Sequence, residues 1–170
     1  MLTFDAFVEM PAGAEPVKYE VVKKKFRVKR IMDTAYRYPT NYGFIPKTLA
    51  DDGDELDVLI ITPVPLLPCS LIECRAIGVL YVEDQKGRDD KIVAVPTSDV
   101  CIDYDDVLGT DDLPKMQVKI IQDFFVHYKD NDPVRWSSVK GWGSVPCAEE
   151  LILQSKAHYK GSKNKIKVRI

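Results

Sequence analysis

Apolar positions along this chain first follow the period of strands and later the period of helices. Residues 4–10 are apolar with Glu9 inside them, Pro11 and Gly13 break the run, and residues 17–21 alternate. A period of two predicts extended structure, so residues 4–30 are expected to be strands with one turn. Residues 32–57 are rich in Tyr, Pro, Gly and Asn and hold neither period. That composition predicts a long loop whose aromatics argue against disorder. A strand is expected over 57–62, ended by Pro63, Pro65 and Pro68. A long strand over 69–83 follows, with Gly78 marking a bend or bulge. Residues 84–90 read as a polar turn and 91–96 as the returning strand, a hairpin with acids at its tip. Strands at this spacing predict a small barrel rather than a parallel sheet.

The last third changes to helical spacing. Asp112 is the expected N-cap of a first helix with Pro114 in its first turn. Leu113, Met116, Ile120, Ile121, Phe124 and Tyr128 are expected on one face. A second helix is expected after Ser144, with Pro146 and two glutamates in its first turn, running to about residue 159. Residues 160–170 lack an apolar face and read as a solvated basic tail. No repeat or linker divides the chain, so one domain over 1–170 is expected.

Composition changes this picture little. The 170 residues are 45% hydrophobic and 29% charged, as in a soluble globular protein. A net charge of −2 gives no global reason to bind nucleic acid. Apolar runs are broken well short of a membrane span, and the opening residues lack the pattern of a secretory signal. Cys69, Cys74, Cys101 and Cys147 show no C-x-x-C spacing and are expected to be buried free thiols in a cytoplasmic protein. Local charge is uneven: basic runs at 23–30 and 160–169 stand against acidic stretches at 51–57 and 99–112.

The acidic stretch Asp51-Asp52-Gly53-Asp54-Glu55-Leu56-Asp57 carries the chemistry. Carboxylates gathered at one point repel and raise one another's pKa, and the apolar run 58–61 ties Asp57 to a strand. A hard cation answers both the charge and the oxygen donors, and an open cluster with room for water suits Mg2+. Leu56 and Asp57 fall where an EF-hand needs an oxygen and a glycine, and Leu56 also breaks the D-x-D-x-[TV] pattern of phosphate-transferring aspartates. Walker A and G-x-G-x-x-G patterns are absent. His127 and His158, far apart on expected helices, read as packed or surface residues. Lys18 and Glu20, two apart in a strand, share a face, which is either a solvated face or a functional pair. The tyrosines of the loop either offer hydroxyls to an anion or pack as its core.

Asp52-Gly53-Asp54 with Asp57 ahead of an apolar strand resembles the signature of the soluble, magnesium-dependent family I inorganic pyrophosphatases. The resemblance extends over about residues 5–145. Glu9-Met10-Pro11, Lys18-Tyr19-Glu20, Arg30, Tyr38-Pro39-Thr40-Asn41-Tyr42-Gly43, Val79-Leu80 before Asp84, Asp89-Asp90-Lys91, Val93-Ala94-Val95-Pro96 and His127-Tyr128-Lys129 recur in the family's order. It implies an α+β, mainly β fold: a five-stranded OB-like barrel with flanking helices, two of them C-terminal. It implies hydrolysis of pyrophosphate with several Mg2+ ions, Mn2+ or Zn2+ substituting and Ca2+ inhibiting. Asp52, Asp57, Asp84 and Asp89 are the implied metal ligands, with Asp57 bridging two ions. Asp54 is implied to orient the attacking water or take its proton, Glu20 to act through a metal's water, and Glu9 to support the cluster. Lys18, Arg30, Tyr42, Tyr128 and Lys129 are implied to grip phosphate, with Tyr38 and Lys91 completing the wall. Gln85 departs from relatives that carry a second acid there, which weakens any metal contact from that position. The short chain resembles the prokaryotic form, commonly a homohexamer.

Three rival functions stand beside this one. An OB-type module could bind single-stranded nucleic acid through tyrosines and the basic run, although unneutralised carboxylates would repel its backbone. A structural calcium domain explains the acids but not the Lys, Arg and Tyr set. A phosphatase acting on nucleotides or phosphoesters would need a base- or sugar-binding element, and none is legible.

Overall fold

The computed structural model describes residues 1–22 and 25–162. Nine strands and two α-helices run in the order β1 (Thr3–Met10), β2 (Val17–Val22), β3 (Lys25–Ile31), β4 (Asn41–Phe44), β5 (Asp57–Ile60), β6 (Leu71–Asp84), β7 (Gly87–Arg88), β8 (Lys91–Pro96), α1 (Lys115–His127), β9 (Ser137–Gly143) and α2 (Val145–Gly161). β1, β4, β5, β8 and β6 pair in that order, and β6 pairs back to β1. The five strands therefore close into a ring, the architecture of an OB-like fold. β5 and β8 run parallel within it, while the other pairs in the ring are antiparallel. β9 adds to β6, and β2–β3 form a separate two-stranded sheet.

β5 and β8 are apolar without alternation because both of their faces are covered. Val58, Ile60, Ile92 and Ala94 join one core with Ala148 and Ile152 of α2. Leu59, Ile61, Val93 and Val95 join a second with Ile121, Phe124 and Phe125 of α1. Asp57 and Lys91 each precede the first residue of the paired stretch Val58↔Ile92. Both fall at the second core's end of the ring, side by side. Gly78 marks the expected bulge, a register shift between β6 and β8.

Several expectations shift. β4, inside the expected loop, is a ring strand whose glycine is demanded by close approach: a Cβ on Gly43 would lie 1.8 Å from the Phe7 carbonyl oxygen. β9 has no sequence counterpart, since Ser137, Ser138, Gly141 and Gly143 hide its period. α1 begins at Lys115 after Pro114, and Asp112 instead accepts the amides of Leu108 and Gly109. Its buried face is Ile121, Phe124 and Phe125, while Met116 and Ile120 are exposed. The first turn of α2 holds no acid. All four cysteines are free, but only Cys74 is buried, Cys69 and Cys147 being exposed. The basic residues 23–24 and 163–169 lie outside the described residues.

Candidate active site

At that end of the ring an open cleft of ≈ 460 Å³ is lined by Glu9, Lys18, Arg30, Tyr38, Tyr42, Asp52, Asp54, Asp57, Asp84, Asp89, Lys91, Tyr128 and Lys129. Every expected site residue but Glu20 is among them. Each arrives by a local device. Asp52 and Asp54 sit on a turn where Gly53 has φ 85° and the Asp54 amide donates to Asp52 Oδ1 at 3.1 Å. Thr48 clamps that turn from below, donating to the Ile45 carbonyl and accepting the Leu56 amide at 2.9 Å. Asp84 and Asp89 stand at either end of the β6–β8 hairpin turn. Tyr42 and Leu59 are cross-strand partners, so the phenol reaches the diagonal neighbour Asp57 and donates to its Oδ2 at 2.5 Å.

Lys91 is the hub. Its side chain is 2% exposed, and its ammonium donates to Asp57 Oδ2 at 2.6 Å and to Asp89 Oδ1. Burial alone would discharge it, but Asp57 and Asp89 hold it charged and push its pKa up. Asp89 is itself pushed up by burial and by Asp57, against the pull of Lys91. Asp52 is also raised, by burial first and then by Asp54 and Asp57. Asp84 goes the other way: burial would raise it, but Lys129, donating to Oδ2 at 2.9 Å, and the Lys86 amide bring it below the usual range. Burial pushes the phenols of Tyr38, Tyr42 and Tyr128 up, so they stay neutral donors.

Glu20 is the exception. Lys18 and Glu20 were expected on one face; the register slips between Lys18 and Tyr19, where β3 carries the extra residue Lys29. Lys18 and Tyr19 line the cleft, whereas Glu20 faces Arg27 across the hairpin at 3.6 Å. Lys29, Gln85, Lys86 and Arg135 also line it. Lys29 lies in the basic run beside Arg30, and that adjacency was its one sequence signal. The Gln85 Oε1 accepts the Trp136 amide at 3.3 Å.

The donor set fits Mg2+. Among the described residues no three His, Cys, Asp or Glu side chains form a ready cage. Mg2+ does not ask for one, since it keeps several waters and takes one or two carboxylates together with substrate oxygens. Burial first, and neighbouring carboxylates after it, raise Asp52 and Asp89, a cost to their charged forms that a hard cation would relieve. Seven lysines and arginines line the same cleft as six carboxylates, so a polyanion and its cations find partners together.

Comparison with known proteins agrees with this chemistry. The family model of inorganic pyrophosphatase matches residues 6–160. The inorganic pyrophosphatase of Rickettsia typhi is 49% identical over 150 residues, covering 87% of this chain and 84% of that one. That of Agrobacterium fabrum is 44% identical over 158 residues, covering 92% and 89%. The structure of an inorganic pyrophosphatase from Coxiella burnetii superposes with a TM-score of 0.89 at 41% identity, covering 92% and 95% of the two chains.

Proposed function

The chain belongs to the inorganic pyrophosphatase family and is an inorganic diphosphatase; from that premise we propose that it hydrolyses pyrophosphate with Mg2+, using the residues gathered at the cleft. The observation that carries the assignment is the convergence of Lys91 of β8 with Asp57 of β5 and Asp89 of the turn before β8, inside a cleft that also gathers Lys18, Arg30 and Lys129. Held by Asp52, Asp57, Asp84 and Asp89, Mg2+ ions would neutralise the polyanion and acidify a water. Lys18, Arg30 and Lys129 bind the phosphate oxygens by charge-assisted hydrogen bonds, Tyr42 and Tyr128 add neutral donors, and Tyr38 completes the wall. Asp54 orients the attacking water and accepts its proton on the carboxylate. Lys91 stays charged and keeps Asp57 and Asp89 from repelling each other. Glu9 supports the cluster, and Glu20, paired with Arg27 outside the lining, acts only through a metal's water.

Ca2+ tolerates looser geometry than Mg2+, so Ca2+ added to the Mg2+-supported reaction is expected to inhibit it, and Ca2+ alone to support little turnover. Equal rates with the two ions would remove Mg2+ from the account. Mn2+ or Zn2+ would substitute in part. A cytoplasmic homohexamer is the family-based expectation for the whole molecule, checked by light scattering. Met116 and Ile120 on α1 are exposed apolar side chains that such an assembly could cover. Phosphate release measured in Mg2+ from pyrophosphate, ATP and p-nitrophenyl phosphate side by side tests substrate class. Pyrophosphate is expected to dominate; preference for either ester would point to a general phosphatase.

A further inference from the structure

Residues 128–136 leave α1 in a turn with an acid at its centre. Asp132 Oδ1 accepts the amides of Val134 at 3.0 Å and Arg135 at 2.9 Å. Its Oδ2 accepts Arg135 Nη1 at 3.1 Å and stands 3.7 Å from Arg30 Nη1. Arg30 and Arg135 line the cleft, but Asp132 does not. One carboxylate thus joins a cation of the separate β2–β3 sheet to a cation of the loop after α1. Its side chain is 21% exposed. The Val134 amide first, then the amide and guanidinium of Arg135, hold its carboxyl down to about 2. The anchored Arg30 keeps a donor in reserve, because its Nε is buried and meets no partner among the described residues. Buried donors are nearly always paired, so this one points to an acceptor that arrives from outside.

We propose that Asp132 is a positioning residue for substrate: it fixes Arg30 and Arg135 in place before pyrophosphate arrives. An arginine with several rotamers loses affinity to the entropy of ordering, and prior anchoring removes that cost. The inference rests on Arg30 gripping phosphate, as proposed above. It also opposes the simplest electrostatic expectation. A carboxylate beside a polyanion site repels the ligand, so by charge alone its removal should tighten binding. Positioning requires the reverse.

Asp132→Asn separates the two. The amide oxygen can still accept from Val134 and Arg135, so the turn is kept while the charge is lost. Titration calorimetry of methylenediphosphonate in saturating Mg2+ is expected to show roughly tenfold weaker binding, the scale of one charge-assisted hydrogen bond. KM for pyrophosphate is expected to rise more than kcat falls, and the Mg2+ concentration that half-stabilises the free protein to stay unchanged. Asp132→Ser, whose hydroxyl can still cap the turn, is read the same way if the Asn variant folds poorly. Unchanged or tighter binding in a folded variant overturns the proposal. Arg30→Met is the control: wild-type binding by that variant would sink the role of Arg30 itself. Weakening by Arg30→Met without weakening by Asp132→Asn would sink only the role of Asp132. In the Arg30→Met background Asp132→Asn is expected to weaken binding less than it does in wild type, because only the hold on Arg135 is then lost and coupled residues are non-additive.

Discussion

At the scale of single residues, the site is a problem of unlike charges placed in too little water. Lys91 solves it for Asp57 and Asp89, and its substitution should be costly out of proportion to its size. Lys91→Met leaves two largely buried carboxylates facing each other. In metal-free buffer it is expected to lose roughly 3–5 kcal/mol in denaturant unfolding, the cost of breaking a buried ion pair from one side. Added Mg2+ should recover more stability in this variant than in wild type. A loss below about 1 kcal/mol would mean that the lysine is solvated and not a hub. Lys91 was legible as a wall residue only through family likeness. Nothing in its own neighbourhood of Asp89, Asp90 and Ile92 says that it meets Asp57, because that contact depends on the parallel pairing of strands separated by the whole length of β6. Glu20, which meets Arg27 outside the cleft lining, shows the opposite limit: the period-two rule is local and does not see the register slip opposite Lys18 and Tyr19, where β3 carries the extra residue Lys29.

At the scale of elements, what a strand displays to sequence reading depends on whether its side chains carry the pairing. β5, β6 and β8 are apolar and were legible with boundaries within two residues. β4 was hidden because Asn41 and Gly43 pair through backbone and amide contacts; Asn41 Nδ2 donates to the Ile60 carbonyl at 3.1 Å. The same feature makes β4 fragile. Gly43→Ala would drive a methyl into the Phe7 carbonyl, and backbone cannot give way as a side chain does. The expected loss is at least about 3 kcal/mol, read as a lowered denaturant midpoint, with Gly161→Ala as a comparison for a glycine that meets nothing within 4 Å and has no left-handed backbone. A Gly43→Ala protein as stable as wild type would contradict the β1–β4 register. α1 illustrates a partial phase error: Ile121 and Phe124 are buried as expected, but the face extends to Phe125 and leaves Met116 and Ile120 to solvent.

At the scale of the whole molecule, fold and charge are coupled through the cation. A carboxyl whose pKa is raised by folding is opposed in its charged form. Asp52 and Asp89 therefore cost the metal-free protein stability above the ordinary carboxylate pKa of about 3.9 and return it as they take up protons. Asp84, lowered, has the other sign: its contribution is present above about 3.9 and lost as pH falls through its depressed value. Mg2+ needs the charged forms of Asp52 and Asp89. The rise in melting temperature produced by Mg2+ is accordingly expected to be largest near neutral pH and to shrink as pH falls toward 4. A Mg2+ effect that is flat across this range would detach the cation from these carboxylates.

Asp54, as the group that serves the attacking water, is the residue on which hydrolysis depends most directly. Phosphate release from pyrophosphate in Mg2+ should be measured for wild type and Asp54→Asn, with the melting temperature of each recorded alongside. The predicted result is rapid, Mg2+-dependent release by wild type and a fall of about 100-fold or more in the variant, with its melting temperature and Mg2+ response retained. Equal release by the two folded proteins would contradict the assignment of Asp54, and no release by the wild type would contradict the account as a whole.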